Sequence, residues 1–236
     1  MRSLVVMAMF ASSLTYAAWN GYTESRDLAL PANGVDSLEI DAGAGSILVS
    51  GVADASDITV RAIIRVPDDD VDEAQKIIAE DLVLRLEKKR STAKLDAYFD
   101  HGSWSSGESA AVDLEVSIPQ GLEIFIDDGS GSITIQDVHS EVAVDDGSGS
   151  VEISGASSVF IDDGSGPVWI SNISGDVEVE DGSGDIEVHT VGGTVTIDDG
   201  SGGIDVRDVE QDLEIIDGGS GSVHIADIRG TVTRDD

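Results

Sequence analysis

Ten aspartates stand beside six glycine-rich loops, and carboxylates repeated at a fixed spacing are the residues here best placed to do chemistry. The loops read Asp-Asp-Gly-Ser-Gly-Ser from Asp127 and again from Asp145, and Asp-Asp-Gly-Ser-Gly-Pro from Asp162. They continue as Glu-Asp-Gly-Ser-Gly-Asp from Glu180, Asp-Asp-Gly-Ser-Gly-Gly from Asp198 and Ile-Asp-Gly-Gly-Ser-Gly-Ser from Ile216. The aspartate before the first glycine (Asp128, Asp146, Asp163, Asp181, Asp199, Asp217) recurs after 18, 17, 18, 18 and 18 residues. Stacked copies would place Asp127, Asp145, Asp162, Glu180 and Asp198 in one file and Asp128 to Asp217 in a second. Like charges about 5 Å apart repel by roughly 1 kcal/mol in water, and by roughly 3 at an effective dielectric of 20. Relief can come from bound cations, from raised pKa values or from turn amides that donate to the carboxylates. Calcium is the hard cation suited to such oxygens, and it is the one cofactor the pattern holds open. The Gly-Gly-x-Gly-x-Asp spacing of calcium-binding β-rolls is absent, and aspartates that satisfy themselves in Asx-type turns are the favoured reading.

A second set lies on the strand after each loop, where Thr134, Glu152, Trp169, Glu187, Asp205 and His224 share one phase. Glu152 and Glu187 would sit two copies apart with Trp169 between them, at roughly 10 Å along the backbone. Two carboxylates bracketing an aromatic ring suit a sugar, and an inverting glycosidase needs its pair about 6.5–9.5 Å apart. Nothing in the sequence builds a pocket around them, so a solvated strand face is preferred. Phe125 and Phe160, on the outward phase before the loop, mark a candidate ligand face together with Glu152, Trp169 and Glu187. The loop serines lack a Gly-x-Ser-x-Gly elbow. His101, His139, His189 and His224 are dispersed, without metal-ligand spacing.

The elements that must position these residues are short strands. Ile124, Ile126, Ile133 and Ile135 alternate with Glu123, Phe125, Thr134 and Gln136, and later copies keep the pattern with Val142, Val144, Val151 and Ile153. Period two marks strands with one buried face. An extra apolar residue, as in Asp137-Val138-His139 and Asp208-Val209-Glu210, reads as an inward corner. The expected fold is all-β: a parallel solenoid of about 18-residue coils, each coil sealing the next at about 4.8 Å. Asp-Gly pairs can also make two-residue hairpins, so an antiparallel meander is the rival.

Upstream, Met1-Arg2-Ser3 followed by the apolar run Leu4 to Tyr16, with Thr15 and Ala17 at the peptidase positions, reads as a signal peptide over 1–17. Residues 18–27 read as a polar linker and 28–120 as an N-terminal β segment, with the repeat solenoid over 121–236. Leu38 to Val49 aligns with the first repeat, with Ala42 where later copies carry the second aspartate. Pro67 and the acids Asp68 to Asp70, followed by Val71, Ala74, Ile77 and Ile78, predict a helix over about 68–80. The segment 54–119 breaks the period and reads as a cap or insertion, since an uncovered stack end is an open strand edge. Arg229, Arg234, Asp235 and Asp236 would blunt the other end.

The 236 residues carry a formal net charge of −34, and no cysteine for disulfide, lipid anchor or thiolate. From Glu123 onward 27 acidic residues face three basic ones, so nucleic acid and anionic lipid are repelled and cationic partners drawn. No later apolar run approaches the roughly 20 residues of a membrane helix.

The Leu-Glu-Ile-Asp-Ala-Gly-Ala-Gly-Ser-Ile-Leu-Val stretch from Leu38, the helical interruption, and the Asp-Gly-Ser-Gly series after Ile118-Pro119 together resemble a bacterial family of exported β-strand-repeat proteins. It is the family of unknown function labelled "putative adhesin", and the likeness runs from about residue 28 to the end. The resemblance implies a secreted or envelope-facing β-solenoid, expected in the periplasm or on the cell surface, and supplies no catalytic residues. The expected function is a non-enzymatic scaffold or adhesin-like surface whose partner is an envelope protein or glycan. The alternatives are a carbohydrate-active enzyme using Glu152 and Glu187, or a calcium-binding structural repeat.

Overall fold

The computed structural model describes residues 21–100 and 110–234. The expected leader lies outside the described residues, as do His101 and Trp104. The chain is a parallel β-solenoid: the repeats stack in register, and the meander is not formed. Its first strands are β1 (Tyr22–Pro31), β2 (Ser37–Ala44), β3 (Ile47–Val52) and β4 (Asp57–Val66). Helix α1 (Val71–Asp81), β5 (Leu82–Lys89), β6 (Thr92–Phe99) and β7 (Ala111–Pro119) follow. Then β8 (Glu123–Gln136) runs through the first loop without a break.

The regular coils are strand pairs: β9 (Glu141–Asp146) with β10 (Gly149–Ser154), β11 (Ser158–Asp163) with β12 (Val168–Ile173), and β13 (Val177–Asp181) with β14 (Ile186–Val191). β15 (Val195–Asp199) goes with β16 (Ile204–Val209) and β17 (Leu213–Gly218) with β18 (Val223–Ile228), before the short β19 (Val232–Arg234). Strands that precede a loop form sheet I, in the order β5, β6, β2, first half of β8, β9, β11, β13, β15, β17, β19. Strands that follow a loop form sheet II, in the order β1, β4, β7, β3, second half of β8, β10, β12, β14, β16, β18.

The aliphatic ranks between the sheets make one core, with Ile135, Val142, Ile153, Ile161, Val188, Val206 and Ile215 all fully covered. Burying an aliphatic side chain of this size is worth roughly 1.5–3 kcal/mol, and each rank is closed by the coils on either side of it. The corner residues Val138, Ile173, Val191 and Val209 are buried as expected. Each is turned inward by the residue before it, which takes a left-handed backbone: Asp137 (φ 56°), Asn172 (57°), Thr190 (59°) and Asp208 (59°). One such residue breaks the two-residue alternation and swings the strand around the corner. In the second coil Gly155 (φ 76°) does the same before Ala156.

The early repeat joins the stack directly. Ile40 pairs with Ile126, Ala42 with Asp128 and Ile47 with Ile133, so β2 and β3 form a coil beside β8 although some 70 residues separate them in the chain. Those intervening residues continue the stack beyond β2 and β3 with β6 and β7 and then with the antiparallel strands β5 and β4, and β1, from before β2, ends the sheet on β4. The residues expected to be a linker differ from that reading. Tyr22 to Pro31 form β1, which lies antiparallel on β4, because Tyr22, Leu28 and Leu30 pack against the core while Asp27, Ala29 and Pro31 face solvent. The helix begins at Val71, capped by Asp70, whose carboxylate accepts from the Asp72 and Glu73 amides at 3.0 and 3.3 Å. Ala74 and Ile78 hold it to the core. At the far end Val223, Ile225 and Ile228 are only half-buried, since no further coil among the described residues covers them, and Arg229 pairs with Glu210.

Candidate functional site

The loop carboxylates separate into two files on opposite faces of sheet I. Strand alternation sends Asp127, Asp145, Asp162, Glu180 and Asp198 outward, rung facing rung across parallel strands. Their chain neighbours Asp128, Asp146, Asp163, Asp181 and Asp199 continue the inward phase of the core isoleucines and valines and are 0–5% exposed. Asp217 belongs to the outer file and not, as the spacing suggests, to the inner one. The strand slips by one residue after Ile197, so Asp217 faces Asp198, Gly218 faces Asp199, and Ile216 is pushed out to solvent.

In the inner file one oxygen is used and one is not. The amides of Ser148, Ser165, Ser183 and Ser201 donate to Oδ1 of Asp146, Asp163, Asp181 and Asp199 at 3.2, 3.0, 2.9 and 2.9 Å. These are the Asx-type turns the loop sequence suggests. Oδ2 of each, and both oxygens of Asp128, are buried without a hydrogen-bond partner. Burial raises all five pKa values, with the neighbouring carboxylates adding to it and the turn amides opposing it. Asp128 and Asp163 reach about 7 and Asp181 about 6; Asp146 and Asp199 are raised as well. Among the described residues no three carboxylates or histidines converge as a metal site.

The outer file borders a trough on sheet I. Two columns run side by side there: Glu39, Phe125, Ala143, Phe160, and Asp41, Asp127, Asp145, Asp162. Ala143 is the small rung between two phenylalanines that are 36% and 39% exposed, so the face is notched at that point. The hollow has a volume of about 360 Å³ and is closed at one end by Lys94. The Lys94 ammonium lies 3.9 Å from Asp41 and 3.4 Å from Asp96. Asp96 is buried and also bonded to Arg85. Asp41 has a raised pKa, chiefly from burial, with Lys94 pulling it down and Asp96 and Asp127 pushing it up.

The set on sheet II is in register as expected, Glu152 facing Trp169 and Trp169 facing Glu187. Its members are not equivalent. Glu187 lies 2.8 Å from His189 Nε2 and 3.3 Å from Arg207, which also holds Asp205 at 2.7 Å. Glu187 is thus tied into its own face, while Trp169 is open at 41% exposure. A second hollow lies at the coil corner among Asp137, His139, Ser154, Gly155, Asn172 and Ser174.

Phe125 and Phe160 are legible in the sequence as outward aromatics, but the notch between them is not. It depends on Ala143, a residue with no chemistry of its own, and on Lys94, some 30 residues before the first loop. Only the alignment of Leu38–Val49 with the first repeat hints that the early strands border that face.

No family model matches the chain, and no curated protein matches it. Solved structures do. A "putative adhesin" of Bacteroides fragilis is 18% identical and covers 91% of this chain and 97% of its own, with a TM-score of 0.43. A "putative adhesin" of Parabacteroides distasonis is 13% identical over 92% and 98%, with a TM-score of 0.39. A "putative lipid binding protein" of the same organism is 14% identical over 91% and 95%, with a TM-score of 0.40. Two of the three neighbours carry the adhesin name. None of the names assigns an activity to this chain.

Proposed function

We propose that this protein is an exported, non-enzymatic β-solenoid that serves as a rigid interaction scaffold at the cell envelope. One observation carries the reading: a flat strand face that leaves Phe125 and Phe160 open to solvent around the Ala143 notch, beside an unbroken file of carboxylates. A parallel stack cannot easily remodel around a ligand, because each strand is bonded on both sides. It suits presentation of a fixed surface better than closure over a substrate. The carboxylate pair of the enzymatic alternative stands on an outward face with Glu187 already engaged by His189 and Arg207. No helix among the described residues is long and apolar enough to cross a membrane.

The test is site-specific photocrosslinking in intact producing cells. A crosslinking amino acid at Ala143 is expected to give discrete adducts, and the same group at Thr196 on the same sheet is expected to give few. Deletion of the protein is expected to weaken surface attachment or envelope integrity. Absence of any adduct together with unchanged attachment and envelope integrity would overturn the reading.

A further inference from the structure

We propose that the sheet I trough seats a lysine or arginine side chain from an extended basic segment of a partner polypeptide. The cation would lie in the Ala143 notch between Phe125 and Phe160, with its charge against Asp127 and Asp145. This rests on the scaffold reading above and names the chemistry of its partner.

Three features of the molecule point to a cation. The first is that the outer file holds Asp127, Asp145, Asp162, Glu180, Asp198 and Asp217, none of which meets a basic side chain among the described residues. The second is that where the protein does supply a cation to this face, the file accepts it: the Lys94 ammonium rests between Asp41 and Asp96 at the first rung, lining the same hollow. Lys94 is in effect an internal copy of the proposed ligand. The third is aromatic. Phe125 and Phe160 are two strands apart, about 9.6 Å at the backbone, which leaves the thickness of one side chain above Ala143. A cation near the face of such a ring gains binding energy even at an exposed site, and a carboxylate beyond it adds charge pairing.

The length of the file favours a polypeptide over a small amine. The rungs repeat at about 4.8 Å, so four of them span about 14 Å, which two side-chain repeats of an extended strand match closely. Alternate basic residues of one segment can therefore meet successive stretches of the same file. The trough, at about 360 Å³, holds only the anchoring side chain.

The probe is a heptapeptide of alternating arginine and threonine, titrated into the full chain at about 50 mM salt, with a citrulline-for-arginine peptide as control. Binding is expected for the arginine peptide and not for the citrulline one, with affinity falling at least about tenfold at roughly 300 mM salt. The double change Phe125→Ala with Phe160→Ala, and separately Ala143→Phe, which fills the notch, are each expected to weaken it at least about tenfold. Asp127→Asn with Asp145→Asn should do the same, whereas Asp205→Asn on sheet II should not. Thermal midpoints of all variants establish that they remain folded. Equal loss from Asp205→Asn, or indifference to Ala143→Phe, would show diffuse attraction to an acidic surface and overturn the proposal. So would spermine that binds as tightly as the peptide. A crosslinked partner whose capture survives Phe125→Ala with Phe160→Ala would leave the scaffold reading standing and remove this one.

Discussion

Asp162 and Asp163 are adjacent in the chain yet stand on opposite faces of one strand, the first exposed in the outer file and the second 1% exposed inside the core. The outward member meets solvent. The inward member gives one oxygen to the Ser165 amide and leaves the other without a partner. A buried carboxylate in that position is better neutral than charged, and this sets how the fold responds to pH.

The pKa values of Asp128, Asp146, Asp163, Asp181 and Asp199 are raised above the unfolded value of 3.8, to about 7 for Asp128 and Asp163. The folded state therefore holds protons more tightly than the unfolded one. The stability these groups contribute is full below about pH 4, declines as pH rises, and levels off above about pH 7. A folded-state pKa higher by one corresponds to about 1.4 kcal/mol, so the file as a whole can cost several kcal/mol at high pH. The outward carboxylates Asp127, Asp145, Asp162 and Asp198 beside the file, and Asp185, act in the same direction. Asp163→Asn keeps an acceptor for Ser165 and cannot ionise. It is expected to raise the thermal midpoint at about pH 8 and to change it little at about pH 4. A lower midpoint at the higher pH would show that the carboxylate is charged and compensated in the folded state.

Thr190 takes φ 59° at a corner where its counterparts are Asp137, Asn172, Asp208 and Gly155. A β-branched residue pays most for that conformation, of order 1–2 kcal/mol. Thr190→Asn and Thr190→Gly are each expected to stabilise the protein by about 1 kcal/mol in chemical denaturation. Asp208→Val should destabilise it by a similar amount. Unchanged midpoints for all three would mean that the corner relaxes without this backbone state.

How much of this is legible in the sequence depends on the scale of the feature. The coil, its period and its inward residues follow from alternation alone, and the pairing of Ala42 with Asp128 is readable because both sit at the same place in a repeated motif. The direction of the second aspartate is harder. Asp128 follows Ile124 and Ile126 at the inward spacing of two, but an aspartate before glycine reads as a turn residue, and turn residues are expected outside. A count of spacings misplaces Asp217, because the inserted Ile216 shifts the strand by one residue and the count does not register it. β1 is hidden because its inward phase is mixed: Glu24 and Arg26, paired with each other, stand between Tyr22 and the core leucines Leu28 and Leu30 and break the apolar alternation. The Ala143 notch is hidden because it is made by the neighbouring coils.

The outer file presents one carboxylate per coil, and the inner file is enclosed, so divalent cations meet no preformed set of converging ligands among the described residues. Calcium and magnesium are therefore expected to act alike, by screening a strongly negative surface. Equal small increases in thermal midpoint at low millimolar concentrations of either ion are the expected result. A rise with micromolar calcium that magnesium does not reproduce would show that loops and outer carboxylates rearrange into true sites, and the calcium reading of the repeat would replace this one.

The glycines of the loop allow the coils to stack as closely as they do. A Cβ on Gly149 would overlap the Gly131 carbonyl oxygen, and one on Gly166 would overlap that of Gly149. Both positions have strongly positive φ, 152° and 145°, where a side chain is strained even in open space. Backbone is all that fits there, since the Gly149 and Gly166 amides donate to the Ser165 and Ser183 carbonyls in the next coil at 2.9 Å. Gly149→Ala must either spread two coils, exposing the aliphatic ranks on both sides, or break those hydrogen bonds. It is expected to cost about 3 kcal/mol or more. Gly121 provides the comparison, because a Cβ there would have no atom within 4 Å although φ is 91°. Gly121→Ala meets backbone strain alone and should cost about 1–2 kcal/mol. Chemical denaturation of the two variants separates these terms. Equal losses would mean that close coil contact at the loops contributes nothing beyond the conformation of the glycine itself.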